Sequence, residues 1–261
     1  MELEDVRYDV TDGIATITIN RPEVYNAFRA QTVDELILCF KSAWADRGVG
    51  VAILTGAGDK AFCTGGDQKQ RAQTGDYGPS VHGLFEIDAL HRLIRDIPKP
   101  VIAAVNGYAI GGGHVLHVVC DLSIASQTAR FGQTGPRVGS FDAGFGSAYL
   151  ARIVGEKRAR EIWYLCRQYT AEQALAWGLV NAVVEPDKLM EEARAWAKEI
   201  LTKSPTAIRF LKHSFNADSE SIAGIGTLAW DGLDLFVRTD EASEGVRAFG
   251  EKRDPDFGPY R

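Results

Sequence analysis

Cysteine is scarce in this 261-residue chain, with four in all (Cys39, Cys63, Cys120, Cys166) and none at CxxC or metal-ligand spacing. That excludes a disulfide framework and reads as thiols buried in a reducing compartment. No apolar run exceeds strand length by much, so a membrane span is not expected. The opening Met1-Glu-Leu-Glu-Asp-Val6 is acidic and lacks the basic and apolar regions of a signal peptide, which predicts a cytoplasmic protein. Positive charge is in deficit: 29 Lys and Arg stand against 35 Asp and Glu, a net charge of −6. That balance argues against nucleic acid as a partner and leaves only a local basic patch for a small anion. Neither GxGxxG nor GxxxxGK[ST] occurs, and there is no linker rich in Pro, Gly or Ser and no repeat of fixed period. Composition is otherwise ordinary for a globular protein, 45% hydrophobic and 25% charged, and the length suits one large α/β domain or one with a small appendage.

The patterning that is present alternates strand and helix. Gly13–Asn20, with Ile and Thr alternating, predicts a half-buried strand stopped by Arg21-Pro22. Thr32-Val-Asp-Glu35 has the form of a capping box, and Val33, Leu36, Ile37, Phe40 and Trp44 follow at helical spacing. Val49–Thr55 is apolar enough for a strand buried on both faces. The order strand, glycine turn, helix returns at Val101–Val105, Gly111–Gly113 and His114–Val119, and Leu122–Ala125 begins another strand. Such βα units imply a mostly parallel sheet with ligands near the carboxyl ends of the strands. After about Lys157 the pattern turns helical, over Ala159–Cys166, Ala171–Trp177 and Asp187–Leu201. We divide the chain into a core at 1–200 and a helical region at 201–261, whose aromatics Trp230, Phe236 and Phe249 are expected to dock on the core or on another subunit.

Two glycine clusters follow strands, Cys63-Thr-Gly-Gly-Asp67 and Gly107-Tyr-Ala-Ile-Gly-Gly-Gly113. Glycine lets backbone approach backbone, so N–H groups from two such turns can meet at one oxygen, and the second turn also opens a helix. Taken alone, either cluster is equally well explained as tight packing. In its full setting the second is more specific. Pro98–Gly113 followed by Cys120-Asp-Leu-Ser-Ile-Ala125, together with Asn20-Arg-Pro22, Asn26-Ala27 and Ala61–Asp67, resembles the crotonase (enoyl-CoA hydratase/isomerase) superfamily over essentially the whole chain. The resemblance implies an α/β spiral of ββα units with a C-terminal helical region, assembled as a trimer or a hexamer of paired trimers. It also implies an acyl-CoA substrate, with the backbone N–H groups of Gly66 and Gly112 as the oxyanion hole.

The departures from that family narrow the reaction. Its hydratases carry glutamates at positions that are Val115 and Gly135 here, and neither residue can move a proton. The segments Gly111–His117, Phe131–Asp142 and Arg160–Tyr169, with Gly66-Asp-Gln-Lys69 and Arg71, resemble instead the 1,4-dihydroxy-2-naphthoyl-CoA synthase branch, which closes a ring by intramolecular Claisen chemistry. In synthases with glycine at the Gly135 position a bound bicarbonate replaces the missing carboxylate base, and Gln133, Gly135 and Trp163 match the residues that hold it. By the same resemblance Asp142 is an acid, Ser140 orients it or meets a ketone, and Val24, Ala27, Lys69, Arg71, Tyr77 and Lys252 contact CoA or substrate. No tightly bound cofactor is implied beyond bicarbonate and the CoA of the substrate. His114 and His117 lie i,i+3 with nothing to complete a metal site, so no metal is expected. Val237 stands where the synthases have a tyrosine, and the loop between Arg71 and Leu90 is short. A neighbouring branch, the ring-opening 2-ketocyclohexanecarboxyl-CoA hydrolases, shares the glycine at the Gly135 position, the short loop and a tail similar to Ala223-Gly-Ile-Gly226 and Thr239-Asp-Glu241, but generally lacks the Lys69/Arg71 pair and His114. A CoA- or RNA-binding relative without activity is the non-enzymatic alternative, which the paired glycine turns and acidic charge disfavour.

Overall fold

The structure, a computed structural model, describes residues 3–261. Strands β1 (Val6–Thr11), β2 (Ile14–Ile19) and β3 (Val51–Gly56) are separated by helix α1 (Ala30–Ala45). Strand β4 (Ala61–Cys63) leads to α2 (Gln68–Thr74) and α3 (Ile87–Asp96). Next come β5 (Val101–Val105), β6 (Tyr108–Ile110), α4 (Gly112–Val119), β7 (Leu122–Ser126) and β8 (Arg130–Gly132). A π-helical turn at Phe145–Tyr149 precedes α5 (Leu150–Val154), α6 (Glu156–Leu165), β9 (Gln168–Thr170), α7 (Ala171–Ala176) and β10 (Ala182–Val184). The chain closes with α8 (Leu189–Leu201), α9 (Pro205–Ala217), α10 (Glu220–Phe236) and α11 (Asp240–Glu251).

The strands make two sheets, ordered β1-β2-β3-β5-β7-β10 and β4-β6-β8-β9. The larger is parallel except for the β1–β2 hairpin, and in the smaller only β8–β9 is antiparallel. The inner strands β3 and β5 of the large sheet are buried on both faces, as their continuous apolar runs require. Ile17, Leu54 and Ala103 face one core with Leu36, Phe40 and Leu116, while Ile53, Ile102 and Ile124 meet Leu189, Ala193 and Ala197 of α8. This is the α/β architecture expected, with a helical C-terminal region. None of the described helices is long and apolar enough to cross a membrane.

Local expectations needed correction. Helix α1 starts before Thr32: its N-cap is Arg29, whose N–H donates to Thr32 Oγ1 at 3.1 Å. Glu35 accepts the N–H groups of Glu4, Asp5 and Val6 instead of closing a capping box on Thr32. Trp44 lies on the exposed side of α1, and Cys39 and Ala43 complete its buried stripe. Cys166 is only half-buried, whereas the other three thiols are buried; burial pushes those of Cys39 and Cys63 up to about 12. In the tail, Trp230 packs against the core and Phe236 is half-buried, leaving Phe249 exposed. The boundary drawn at 200/201 falls at the end of α8, and α9 is pinned across it by a buried ammonium. Lys212 Nζ donates to Ile94 O (3.0 Å), Lys99 O (3.0 Å) and Asp121 Oδ2 (2.7 Å).

The segment that enters the site is anchored by charge. Asp5, 3% exposed, accepts from Arg29 at 2.8 and 2.9 Å and pairs with Arg21 at 3.6 Å, while Arg21 Nη2 reaches Asp67 Oδ2 at 3.1 Å. Burial alone would raise the Asp5 carboxyl, but the Arg29 and Thr32 hydrogen bonds and both guanidinium charges outweigh it and hold it below 3.8. A depressed carboxyl contributes stability that is present above its unfolded pKa and lost as pH falls through its folded one. Asp5→Asn is therefore expected to cost about 3 kcal/mol at neutral pH, and visibly less below pH 4, in denaturant melts run across pH.

Candidate active site

Strands β4 and β6 pair in parallel and each ends in a glycine turn, which sets the two turns side by side. The fit depends on missing side chains. A Cβ on Gly65 would lie 2.9 Å from Gly112 N, and one on Gly113 would overlap the Cys63 carbonyl. Among the described residues the N–H groups of Gly66 and Gly112 have no acceptor, so both donors are free. Gly112 also starts α4, where the helix dipole favours negative charge. Two rings border the pair. Phe28 lies 2.6 Å from where a Gly112 Cβ would sit, and the Tyr77 hydroxyl 2.7 Å from a Gly66 Cβ. Tyr77 stacks on Phe85 with ring centroids 4.6 Å apart.

Asp142 is half-buried beside the π-helical turn, its Oδ1 accepting the Gly146 N–H at 3.1 Å. Desolvation pushes its carboxyl up to about 7; the Gly146 hydrogen bond opposes that rise and the Asp88 charge adds to it. Asp88, on α3, is a neighbour the sequence did not single out. Its Oδ2 is paired with Arg92 at 2.8 Å, and its Oδ1 is buried without a partner. Only proximity in the fold reveals it, because nothing in a local motif marks a helix-surface Asp. Ser140 donates its backbone N–H to Gly135 O at 2.9 Å; no hydrogen bond joins its hydroxyl to Asp142 among the described residues.

The surroundings of Gly135 are tight. A Cβ there would meet Ser140 O at 2.7 Å and Trp163 Cζ3 at 3.0 Å, so the residue is glycine because it is crowded. The Trp163 indole N–H is engaged, donating to Gly146 O at 2.6 Å. Of the three expected anion contacts, Trp163 therefore offers its ring and not its donor. The Gly135 N–H has no acceptor among the described residues, and Gln133 is buried, its Nε2 3.3 Å from His114 Nδ1. Val115 is fully buried in the core.

The cationic candidates separate. Lys69 is exposed, whereas Arg71 is buried, with Nη2 3.5 Å from Gly139 O and Nη1 without a partner. Asp67 caps their helix by accepting from the N–H groups of Lys69 (3.1 Å) and Gln70 (3.2 Å). Val24 ends a short 3₁₀ turn and is half-buried, and Ala27 is buried with its N–H on Val24 O at 3.1 Å. Lys252 is exposed at the C-cap of α11, distant in sequence from the other candidates. The structure thus brings Gly66, Gly112 and Tyr77 together, and Gly135, Ser140 and Trp163 together. Val24, Ala27 and Lys252 have no contact in common with either group among the hydrogen bonds described.

Two adjoining glycine turns with free N–H groups on an α/β fold could together stabilise a developing negative charge, and comparison gives the chain a family. The family described as enoyl-CoA hydratase/isomerase matches residues 9–259. The structure is similar to an enoyl-CoA hydratase from Mycobacterium avium subsp. paratuberculosis, at 28% identity over 98% of this chain and 99% of that one, with a TM-score of 0.86. It is also similar to an enoyl-CoA hydratase from Bacillus anthracis (32%, 97% and 98%, TM-score 0.75). A carnitinyl-CoA hydratase from Mycobacterium avium is a third (31%, 97% and 97%, TM-score 0.84). The chain belongs to the enoyl-CoA hydratase/isomerase family, the crotonase superfamily, and is a crotonase-type enzyme that processes acyl-CoA.

Crowding at Gly135 makes a direct prediction. Gly135→Asp should not supply a working carboxylate; the new Cβ forces Ser140 and Trp163 apart, at about 1–3 kcal/mol. A lowered melting temperature with no gain in turnover is the expected result, and a stable, more active variant would contradict the packing described.

Proposed function

We propose that the enzyme performs enolate chemistry on an acyl-CoA, closing the ring of o-succinylbenzoyl-CoA to 1,4-dihydroxy-2-naphthoyl-CoA. The observation that carries this reading is a carboxyl poised near neutrality at Asp142, while Val115 and Gly135 occupy the positions where hydratases keep theirs. A base takes the proton next to the thioester. The N–H groups of Gly66 and Gly112 stabilise the enolate oxygen. The enolate carbon then bonds to the carbon of the free carboxyl group, protonated Asp142 delivers its proton to the departing oxygen, and water leaves. Arg71, a buried cation with an unused Nη1, suits an anionic group of the substrate, and exposed Lys69 and Lys252 suit CoA phosphates. Tyr77 lies against Gly66 and closes that side of the site. The exposed apolar residues Phe210, Phe215, Leu228 and Leu235 of the 201–261 region favour a trimer or hexamer.

Ring opening of 2-ketocyclohexanecarboxyl-CoA is the second reading. It is favoured by Val237, which ends α10 without the hydroxyl the synthases place there. The same donors and acid serve both directions. Turnover assays with the two CoA esters separate them, and activity on the ring-opening substrate alone would overturn the synthase assignment.

Asp142→Asn keeps shape and removes the proton, so turnover should fall by at least a hundredfold while CoA-ester binding survives. Because the acid form exists below the raised pKa, wild-type kcat should decline as pH rises through about 7, and the variant should lack that limb. For the base, we propose a bicarbonate beside the Gly135 N–H and the Gln133 amide. Added bicarbonate should then raise the rate of enzyme assayed in degassed buffer; an unchanged rate would leave water or Asp142 as the base.

A further inference from the structure

We infer that His114 is a positioning residue that holds the Gln133 amide with its N–H toward the imidazole Nδ1 and its carbonyl oxygen free to accept from a bound ligand. The inference rests on the assignment of Gln133 to the site. Both side chains are buried, His114 completely and Gln133 to 1% exposure, and the 3.3 Å contact between them is the one hydrogen bond made by either side chain among the described residues. His114 stands two residues after Gly112 on α4, so one short helix carries both an oxyanion donor and the support for Gln133.

The contact itself sets the His114 tautomer. An amide nitrogen donates and does not accept, so Gln133 Nε2 at 3.3 Å makes His114 Nδ1 the acceptor and leaves the imidazole proton on Nε2. His117 and His114 pack with ring centroids 4.9 Å apart, and both Nε2 atoms are buried without partners. Burial keeps both rings neutral: that of His114 is pushed down to about 3 and that of His117 well below 6.5.

The ligand chemistry follows. A carbonyl oxygen recognises a donor, so Gln133 selects a species with an O–H at that point, such as bicarbonate or a carboxylic acid, over a bare anion such as chloride or nitrate.

Two measurements on the intact protein test this. Long-range ¹⁵N–¹H NMR of the histidine rings should show His114 protonated at Nε2 from pH 6 to 9; protonation at Nδ1 would overturn the inference without any assay of activity. In turnover of o-succinylbenzoyl-CoA, His114→Leu should lower kcat on the order of tenfold with KM within about twofold. His114→Asn, whose Oδ1 can accept where Nδ1 did, should recover most of the loss. On a Gln133→Ala background, His114→Leu should add nothing. Additive losses, or an Asn variant as impaired as Leu, would refute the positioning role. Wild-type kcat in Gln133→Ala is a separate outcome, which removes Gln133 from the site and the inference with it.

Discussion

Two backbone turns touching with no side chain between them are the constraint on which the site depends. The β4 turn and the first turn of α4 approach so closely that a methyl group on Gly113 would overlap the Cys63 carbonyl, and one on Gly65 would crowd the Gly112 nitrogen. Parallel pairing of β4 with β6 brings the turns to the same end of the small sheet, and the glycines let them close. The free N–H groups of Gly66 and Gly112, the proposed oxyanion donors, are therefore fixed by main-chain packing, with the Phe28 and Tyr77 rings against them.

Charge holds the other wall. Asp67 caps α2 and binds Arg21, which in turn pairs with Asp5 at the start of β1. The hairpin, the Arg21–Phe28 loop and the helix bearing Lys69 and Arg71 are thus joined by one buried ion network. As pH falls, the stability that Asp5 contributes to this network is lost, because the Arg29 and Thr32 hydrogen bonds and the two guanidinium charges hold its carboxyl below its ordinary value. Asp142 sits at the opposite extreme, its proton retained by desolvation rather than released by a partner. One chain keeps two aspartates on either side of the ordinary carboxylate range through their surroundings alone.

The longer strands were legible from two different patterns: Val101–Val105, buried on both faces, is found where its apolar run predicted, and the alternating Gly13–Asn20 to within a residue. The three-residue strands β4, β6, β8, β9 and β10 carry no period of their own and exist through pairing, so no local signal announced them. Thr32-Val-Asp-Glu35 had the spacing of a cap, but Glu35 was claimed by the β1 backbone, a contact 30 residues away that spacing cannot encode. At the site, the residue types at Gly66, Gly112, Asp142 and Gly135 were readable. What was not readable was that Gly135 is enclosed by Ser140 and Trp163, or that the indole N–H is spent on Gly146. Asp88 was missed for the same reason, since its influence on Asp142 arises only when α3 is packed in place.

The lysine of α9 has a consequence for how the molecule opens. Lys212 spends all three ammonium protons on the end of α3, the loop before β5 and Asp121 after α4, and Asp121 also accepts the Val101 N–H that starts β5. Lifting α9 away would strand that carboxylate, two carbonyls and a desolvated cation together, so the helix does not fray as an independent arm. Amide exchange in its middle turn is tied to the cooperative opening of the central sheet, although its outer face, with Phe210 and Phe215, remains bare.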